Sequence, residues 1–182
     1  MPDRGRIKSP RALRARLAKV RLLLCDVDGV LTDGAVLMGN GVETKRFHIR
    51  DGLGLRLLQR QGIKVGWISR RPSGATAQRA EDLKIDFLHQ VDANKVAAVE
   101  GILARTGLGW AEVCYVGDDI VDLGVLKRVG VAVAVGDALT EARAAADYIT
   151  SAHGGNGAIR EVVELILKAQ NKWRSLVEEY SS

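Results

Sequence analysis

The sequence predicts an α/β fold, a doubly wound parallel sheet with helices on both faces, and three observations point there. Short apolar runs alternate with helix-like segments from Val20 onward, two of those runs end in aspartate clusters, and the rhythm breaks only once, at residues 34–49. Such alternation is the pattern of successive βα units. The short apolar runs place strands at 20–25, 64–68, 86–89, 113–116, 131–135 and 147–149. The longer stretches between them read as helices at 52–61, 74–83, 94–106, 119–128 and 138–145, followed by a long final helix over 157–178. Within 34–49, two β-like runs flank Gly39-Asn40-Gly41. That segment reads as a β-hairpin, because Asn-Gly supplies the positive φ angles that tight hairpin turns require.

Length and composition fit that architecture. A chain of 182 residues, 47% hydrophobic and 27% charged, matches one folded domain with a real core. Its longest apolar stretches, such as Val129 to Val135, fall far short of the ~20 residues a membrane helix needs. No secretory pattern opens the sequence, so no membrane span and a cytoplasmic location are expected. Cys25 and Cys114 read as buried strand thiols rather than a disulfide framework. The formal charge of +5 is uneven: residues 1–21 carry eight Lys/Arg against one Asp, which leaves residues 22–182 at −2. The chain thus divides into a basic arm, 1–21, and a folded domain, 22–182. Leu13, Leu17 and Val20 in the arm have helical spacing, as in a short amphipathic lead-in, and no aromatic residue is present there to stack a base. No nucleic-acid partner is expected.

The chemistry lies in the carboxylates. The first strand, VRLLLC, runs into Asp26-Val27-Asp28-Gly29, and the fourth, EVCYV, runs into Gly117-Asp118-Asp119-Ile120-Val121-Asp122. In a parallel α/β sheet the carboxyl ends of all strands share one edge, where ligands bind. Carboxylates gathered there repel or take up protons unless a cation lies between them, and an all-oxygen donor set favours Mg²⁺ over Zn²⁺. Asp119 and Asp122, in a first helical turn, also suit plain capping. His48, His89 and His153 show no metal spacing, His89 reads as structural, and Gly154-Gly155-Asn156-Gly157 reads as a loop into the last helix.

At these motifs the chain resembles the haloacid dehalogenase-like phosphatases, through DVDGV at 26–30, Ser69 in VGWIS, Lys95 in DANK and GDDIVD at 117–122. The resemblance implies a Rossmann-like sheet, with Asp26 as the nucleophile that forms an aspartyl phosphate and Asp28 as the acid and then the base. It implies Mg²⁺ held by Asp26, the Asp28 carbonyl and Asp118, with Asp119 orienting a metal-bound water. Ser69 and Lys95 would hold the phosphoryl oxygens, and Gly29 removes a Cβ where phosphate approaches the backbone. Only a 16-residue hairpin follows the first motif, so no cap domain is expected.

The segments DVDGVLTDG, MGNG and KRFHIRDGLG, with YVGDDIVDLGVL and GGNGAIREV, are similar to the phosphatases of 3-deoxy-D-manno-octulosonate (KDO) 8-phosphate in lipopolysaccharide synthesis. That likeness implies substrate contacts at Asp28, Gly29, His48, Ile49, Arg50, Asp51, Gly52, Arg56, Arg71, Arg79 and Lys95. It also implies a homotetramer assembled through the hairpin, burying Val36, Met38 and Val42. The sequence departs from the family at Arg70, where Gly is usual, and at Asn156, where many members have Arg. Arg71 and Arg79 are the candidates for gripping the substrate's distant carboxylate, unless they simply pair with Glu81 or Asp82. Two alternatives remain open: a phosphatase for a nine-carbon acid sugar phosphate, and a non-catalytic binding domain of the same fold.

Overall fold

Strand β1, Leu22–Cys25, is fully buried along its whole length, since helices cover both faces of a parallel sheet and leave no polar side. The structure, a computed structural model, describes residues 9–39, 41–90 and 94–181. Asn40 of the hairpin turn, Asp92 and Ala93 before Lys95, and Arg4, Arg6 and Lys8 of the arm lie outside the described residues. Around β1 the chain builds β4 (Lys64–Ser69), β5 (Phe87–Gln90), β6 (Val113–Gly117), β7 (Val131–Ala134) and β8 (Tyr148–Ile149), after a separate hairpin of β2 (Leu37–Gly39) and β3 (Val42–Thr44). The six sheet strands are parallel in the order β5-β4-β1-β6-β7-β8. From β1 the chain winds outward through β4 and β5, then returns to β6 on the other side. The order therefore reverses at β1 and β6, and the crevice beyond their carboxyl ends is the natural ligand site.

The helices are α1 (Pro10–Leu17), α2 (Ile49–Arg60), α3 (Gly74–Asp82), α4 (Lys95–Thr106), α5 (Leu123–Leu126), α6 (Thr140–Ala145), α7 (Ala158–Ala169) and α8 (Trp173–Glu179). One layer packs α1 and α2 against α7, and α5 packs between α4 and α6. The apolar face of α7 buries Ile159, Val162, Val163, Ile166 and Leu167. The arm's α1 buries Leu17 and lies along α7. No described helix is long and apolar enough to cross a membrane. Both cysteines are buried and free of disulfide.

Two expected helices come out differently. The single long final helix divides at Gln170–Lys172, where Asn171 takes a positive φ of 57°. The break lets Lys172 donate to the Gln61 carbonyl and sets Arg60 against Glu179 and Tyr180. The helix expected at 119–128 is a 3-10 turn, Ile120–Asp122, followed by the one-turn α5. Here the Asp122 carboxylate turns back to accept the Asp119 N–H, tightening the chain. In the hairpin, Gly39 faces Val42 and Gly41 has a φ of 74°, the left-handed turn position.

Candidate active site

Asp26 follows the last residue of β1 and donates its N–H to Val116 on β6, so the sheet ladder itself sets its position. Its Oδ1 accepts from the Val27 N–H at 2.6 Å, and its Oδ2 lies 2.7 Å from the Lys95 ammonium. Lys95 opens α4, buried, and reaches Asp122 Oδ1 at the same 2.7 Å. Burial alone would push this ammonium's pKa down, but Asp122 and Asp26 together outweigh it and hold it above the ordinary lysine value. Asp122 is fully buried and saturated. Its Oδ1 also accepts from Tyr115 Oη at 2.6 Å, and its Oδ2 accepts from the N–H groups of Asp118 and Asp119.

Asp118 stands across from Asp26, and its Oδ1 is buried without a hydrogen-bond partner. Burial, then the charges of Asp26 and Asp122, push its pKa up to about 7. Burial and Asp122 likewise raise Asp26 to about 6, against the pull of Lys95. Oxygens of Asp26, Asp118 and Asp122 fall within 4.8 Å of one another. Since Asp122 already has four donors, the pair with capacity for a cation is Asp26 and Asp118. An orphaned carboxylate oxygen, an all-oxygen donor set and two carboxylates whose pKa values burial and mutual repulsion push up all fit a hard divalent ion. Asp28 and Asp119 contribute no carboxylate to this cluster; the Asp119 side chain caps the 3-10 turn through the Ile120 N–H.

Asp26, Asp28, Ser69, Arg70, Arg71, Lys95, Asp118 and Asp119 line one open cleft of about 560 Å³. Gly29, beside Asp28, has a φ of 84°, and a Cβ there would lie 2.1 Å from Asp118 Oδ2, so any side chain would be strained and would displace that carboxylate. Ser69 Oγ accepts from the Arg71 N–H and donates to the Arg71 carbonyl, each at 3.1 Å. Arg71 pairs with Glu43 of the hairpin rather than with Glu81 or Asp82, and its Nη1 is buried without a partner. Ser73 and then Arg71 hold the Glu43 carboxyl below its ordinary pKa.

The other expected substrate contacts do not line this cleft. His48 occupies the N-cap position of α2 without a side-chain capping bond, with Ile49 and Arg50 exposed beside it. Asp51 is buried and accepts the Arg160 N–H at 2.7 Å, which caps α7; burial raises its pKa against that hydrogen bond. Arg56 donates to the Leu83 carbonyl, and Arg79 lies over Gly52 with Asp82 at 4.0 Å. Two buried residues that contact the cleft lining, Asp122 and Lys45, were not assigned these roles from the sequence. Asp122 was read within the acidic GDDIVD cluster and as a cap, but not as the acceptor that holds Lys95, which lies 27 residues away in the chain. Lys45 gave one faint signal, its two-residue spacing from Glu43, which puts both on one face of a strand.

Comparisons with known proteins agree with this geometry. The haloacid dehalogenase-like hydrolase family model matches residues 74–162. A KDO 8-phosphate phosphatase from Yersinia pestis is 44% identical over 158 residues, 86% of this chain and 84% of that protein. The Escherichia coli K12 protein of the same name is 43% identical over 159 residues, 87% of this chain and 85% of its own length. Among solved structures, a KDO 8-phosphate phosphatase from Moraxella catarrhalis in complex with magnesium, phosphate and KDO superposes with a TM-score of 0.92 at 36% identity, covering 94% of this chain and 99% of that one. Relatives so similar, matched over most of both chains, establish that this chain belongs to the KDO 8-phosphate phosphatase family of haloacid dehalogenase-like hydrolases.

Proposed function

We propose that the chain is a Mg²⁺-dependent phosphatase that converts KDO 8-phosphate to KDO and inorganic phosphate. The observation that carries the reading is the pairing of Asp26 with the unpartnered Asp118 at the reversal point of the sheet, with Lys95 against both Asp26 and Asp122. Asp26 attacks phosphorus as the ester P–O bond breaks, and Asp28 gives its proton to the departing alcohol. Asp28 then takes a proton from water, whose oxygen displaces the Asp26 carboxylate and releases phosphate. Ser69 and Lys95 bind phosphoryl oxygens. A Mg²⁺ ion held by Asp26, Asp118 and the Asp28 carbonyl would supply the charge that offsets repulsion between nucleophile and phosphate.

The substrate's far carboxylate goes to Arg71, which lines the cleft and whose Nη1 has no protein partner. His48 to Gly52, Arg56 and Arg79 lie outside the cleft, so their contacts to substrate require a second subunit, as in a homotetramer joined through the hairpin. Met38, 69% exposed, and Val42, 63% exposed, support such an interface. A panel of sugar phosphates assayed with Mg²⁺ tests the reading: KDO 8-phosphate is expected to be turned over best, and Asp26→Asn to lower kcat by more than ~10³-fold with the fold intact. Retained activity in Asp26→Asn, or preference for a nine-carbon acid sugar phosphate, would overturn the mechanism or the substrate respectively.

A further inference from the structure

The hairpin does more than present an apolar surface, because Glu43 and Lys45 on its exit side contact Arg71 and Asp28, two residues that line the cleft. Glu43 and Lys45, two apart on the same face of the chain, both point inward. The Lys45 side chain is 0% exposed, and its ammonium lies 2.6 Å from Asp28 Oδ1, 3.3 Å from Thr76 Oγ1 and 3.6 Å from Glu43 Oε1. An ammonium so buried is costly unless charge and hydrogen bonds compensate it, and these three groups do. The contact to Asp28 is a short ion pair, which fixes where that carboxylate oxygen sits. Glu43 ties the same strand to Arg71 and accepts from Ser73 Oγ at 2.6 Å, which anchors the Lys45 backbone against the loop after β4.

We propose that Lys45 is the positioning residue for Asp28, holding its carboxyl group where it serves the leaving oxygen, so that the hairpin is part of the catalytic machinery. The proposal rests on the phosphatase reading. A misplaced acid costs most when the leaving group is poor: an alkyl alcohol needs its proton, whereas nitrophenolate leaves without one. Lys45→Met removes the charge while keeping the length of the stem. In single-turnover experiments it is expected to slow phosphorylation of Asp26 by KDO 8-phosphate by ~10²-fold, and by p-nitrophenyl phosphate by less than ~3-fold, with KM for KDO 8-phosphate changed less than ~3-fold. Added to Asp28→Asn, the same change is expected to cost less than ~3-fold further, because two residues acting through one carboxyl group are not additive. Equal losses on both leaving groups, or additive losses with Asp28→Asn, would overturn the proposal. Lys45→Arg keeps the charge and decides the matter if the Met variant does not fold: a leaving-group-selective loss below ~10-fold is expected, and an equal loss on both overturns it. Failure of the phosphatase reading looks different, since wild-type protein would then turn over neither substrate or Asp28→Asn would be fully active.

Discussion

Asp122 never needs to touch a substrate to matter, because it is the residue on which the others are hung. With Tyr115, Lys95 and two backbone N–H groups all directed at it, it fixes the ammonium that faces Asp26 and the loop that carries Asp118. A saturated buried carboxylate of this kind costs little once folded and much if any partner is removed. Arg71 is the opposite case, a guanidinium with one arm engaged by Glu43 and the other unpartnered. If that free arm takes the substrate carboxylate, Arg71→Ala is expected to lower kcat/KM for KDO 8-phosphate by roughly 10–100-fold, about 1.4–3 kcal/mol, while barely changing hydrolysis of an aryl phosphate lacking the carboxylate. Equal losses on both would assign Arg71 to the phosphate or to the fold.

Among elements, the loop before α7 is set directly on the loop after β1, backbone against backbone. A Cβ on Gly154 would stand 1.8 Å from the Gly29 carbonyl oxygen, and the Gly155 N–H donates to the Val30 carbonyl at 2.9 Å. This four-residue segment therefore does more than turn the chain into a helix, since it supports the loop that carries Asp28. Gly154→Ala is expected to destabilise the protein by roughly 1–3 kcal/mol, an overpacking cost, and to lower kcat for aryl phosphates as Gly29 is displaced. Thermal unfolding and steady-state kinetics check the two parts. A variant as stable and active as wild type would show that the two loops part without cost. The hairpin, by contrast, is tied to the domain on its exit side, by Glu43, Lys45, the Arg46–Asp33 ion pair and the stacking of Phe47 on Trp67. Leu37, Met38 and Val42 are all exposed, and an isolated two-stranded ribbon is marginal in water.

At the scale of the whole molecule, the site couples folding to cation binding. The folded-state pKa of Asp118, about 7, and that of Asp26, about 6, lie above the ordinary aspartate value. Folded protein thus holds protons that the unfolded chain has released between about pH 4 and pH 7, and the stability this pair contributes to metal-free protein is lost as pH rises through those values. A dication stabilises the ionised form. The rise in Tm on adding Mg²⁺ is therefore expected to be small at pH 5 and to grow toward pH 8, as scanning calorimetry with and without EDTA would read. A Mg²⁺ effect that shrinks with pH would remove Asp26 and Asp118 as its ligands. Assembly is the second global property. Light scattering is expected to give about four times the 19.7 kDa chain mass, and replacing Met38 and Val42 by Lys to dissociate the particle. A wild-type monomer with full activity would contradict the tetramer.

The parallel sheet was legible because each strand is a short apolar run, and Asp26 and Asp118 were legible because the chain leaves the sheet edge directly after such runs. The left-handed turn position at Gly41 was legible because few residues tolerate positive φ. These are properties of neighbours in the chain. Asp122 as the organiser, Glu43 as the partner of Arg71, Lys45 as the partner of Asp28 and Asp51 as the cap of α7 were not legible, since each acts on residues brought close only by folding. The long final helix was misread for the same reason. Its apolar spacing continues past Lys168, and only the docking of α8 beside α2 makes a turn at Asn171 more favourable than another turn of helix. Local pattern determined which elements form and where the carboxylates emerge, and tertiary packing decided which charges meet, because a buried ion pair is set by distance in space rather than along the chain.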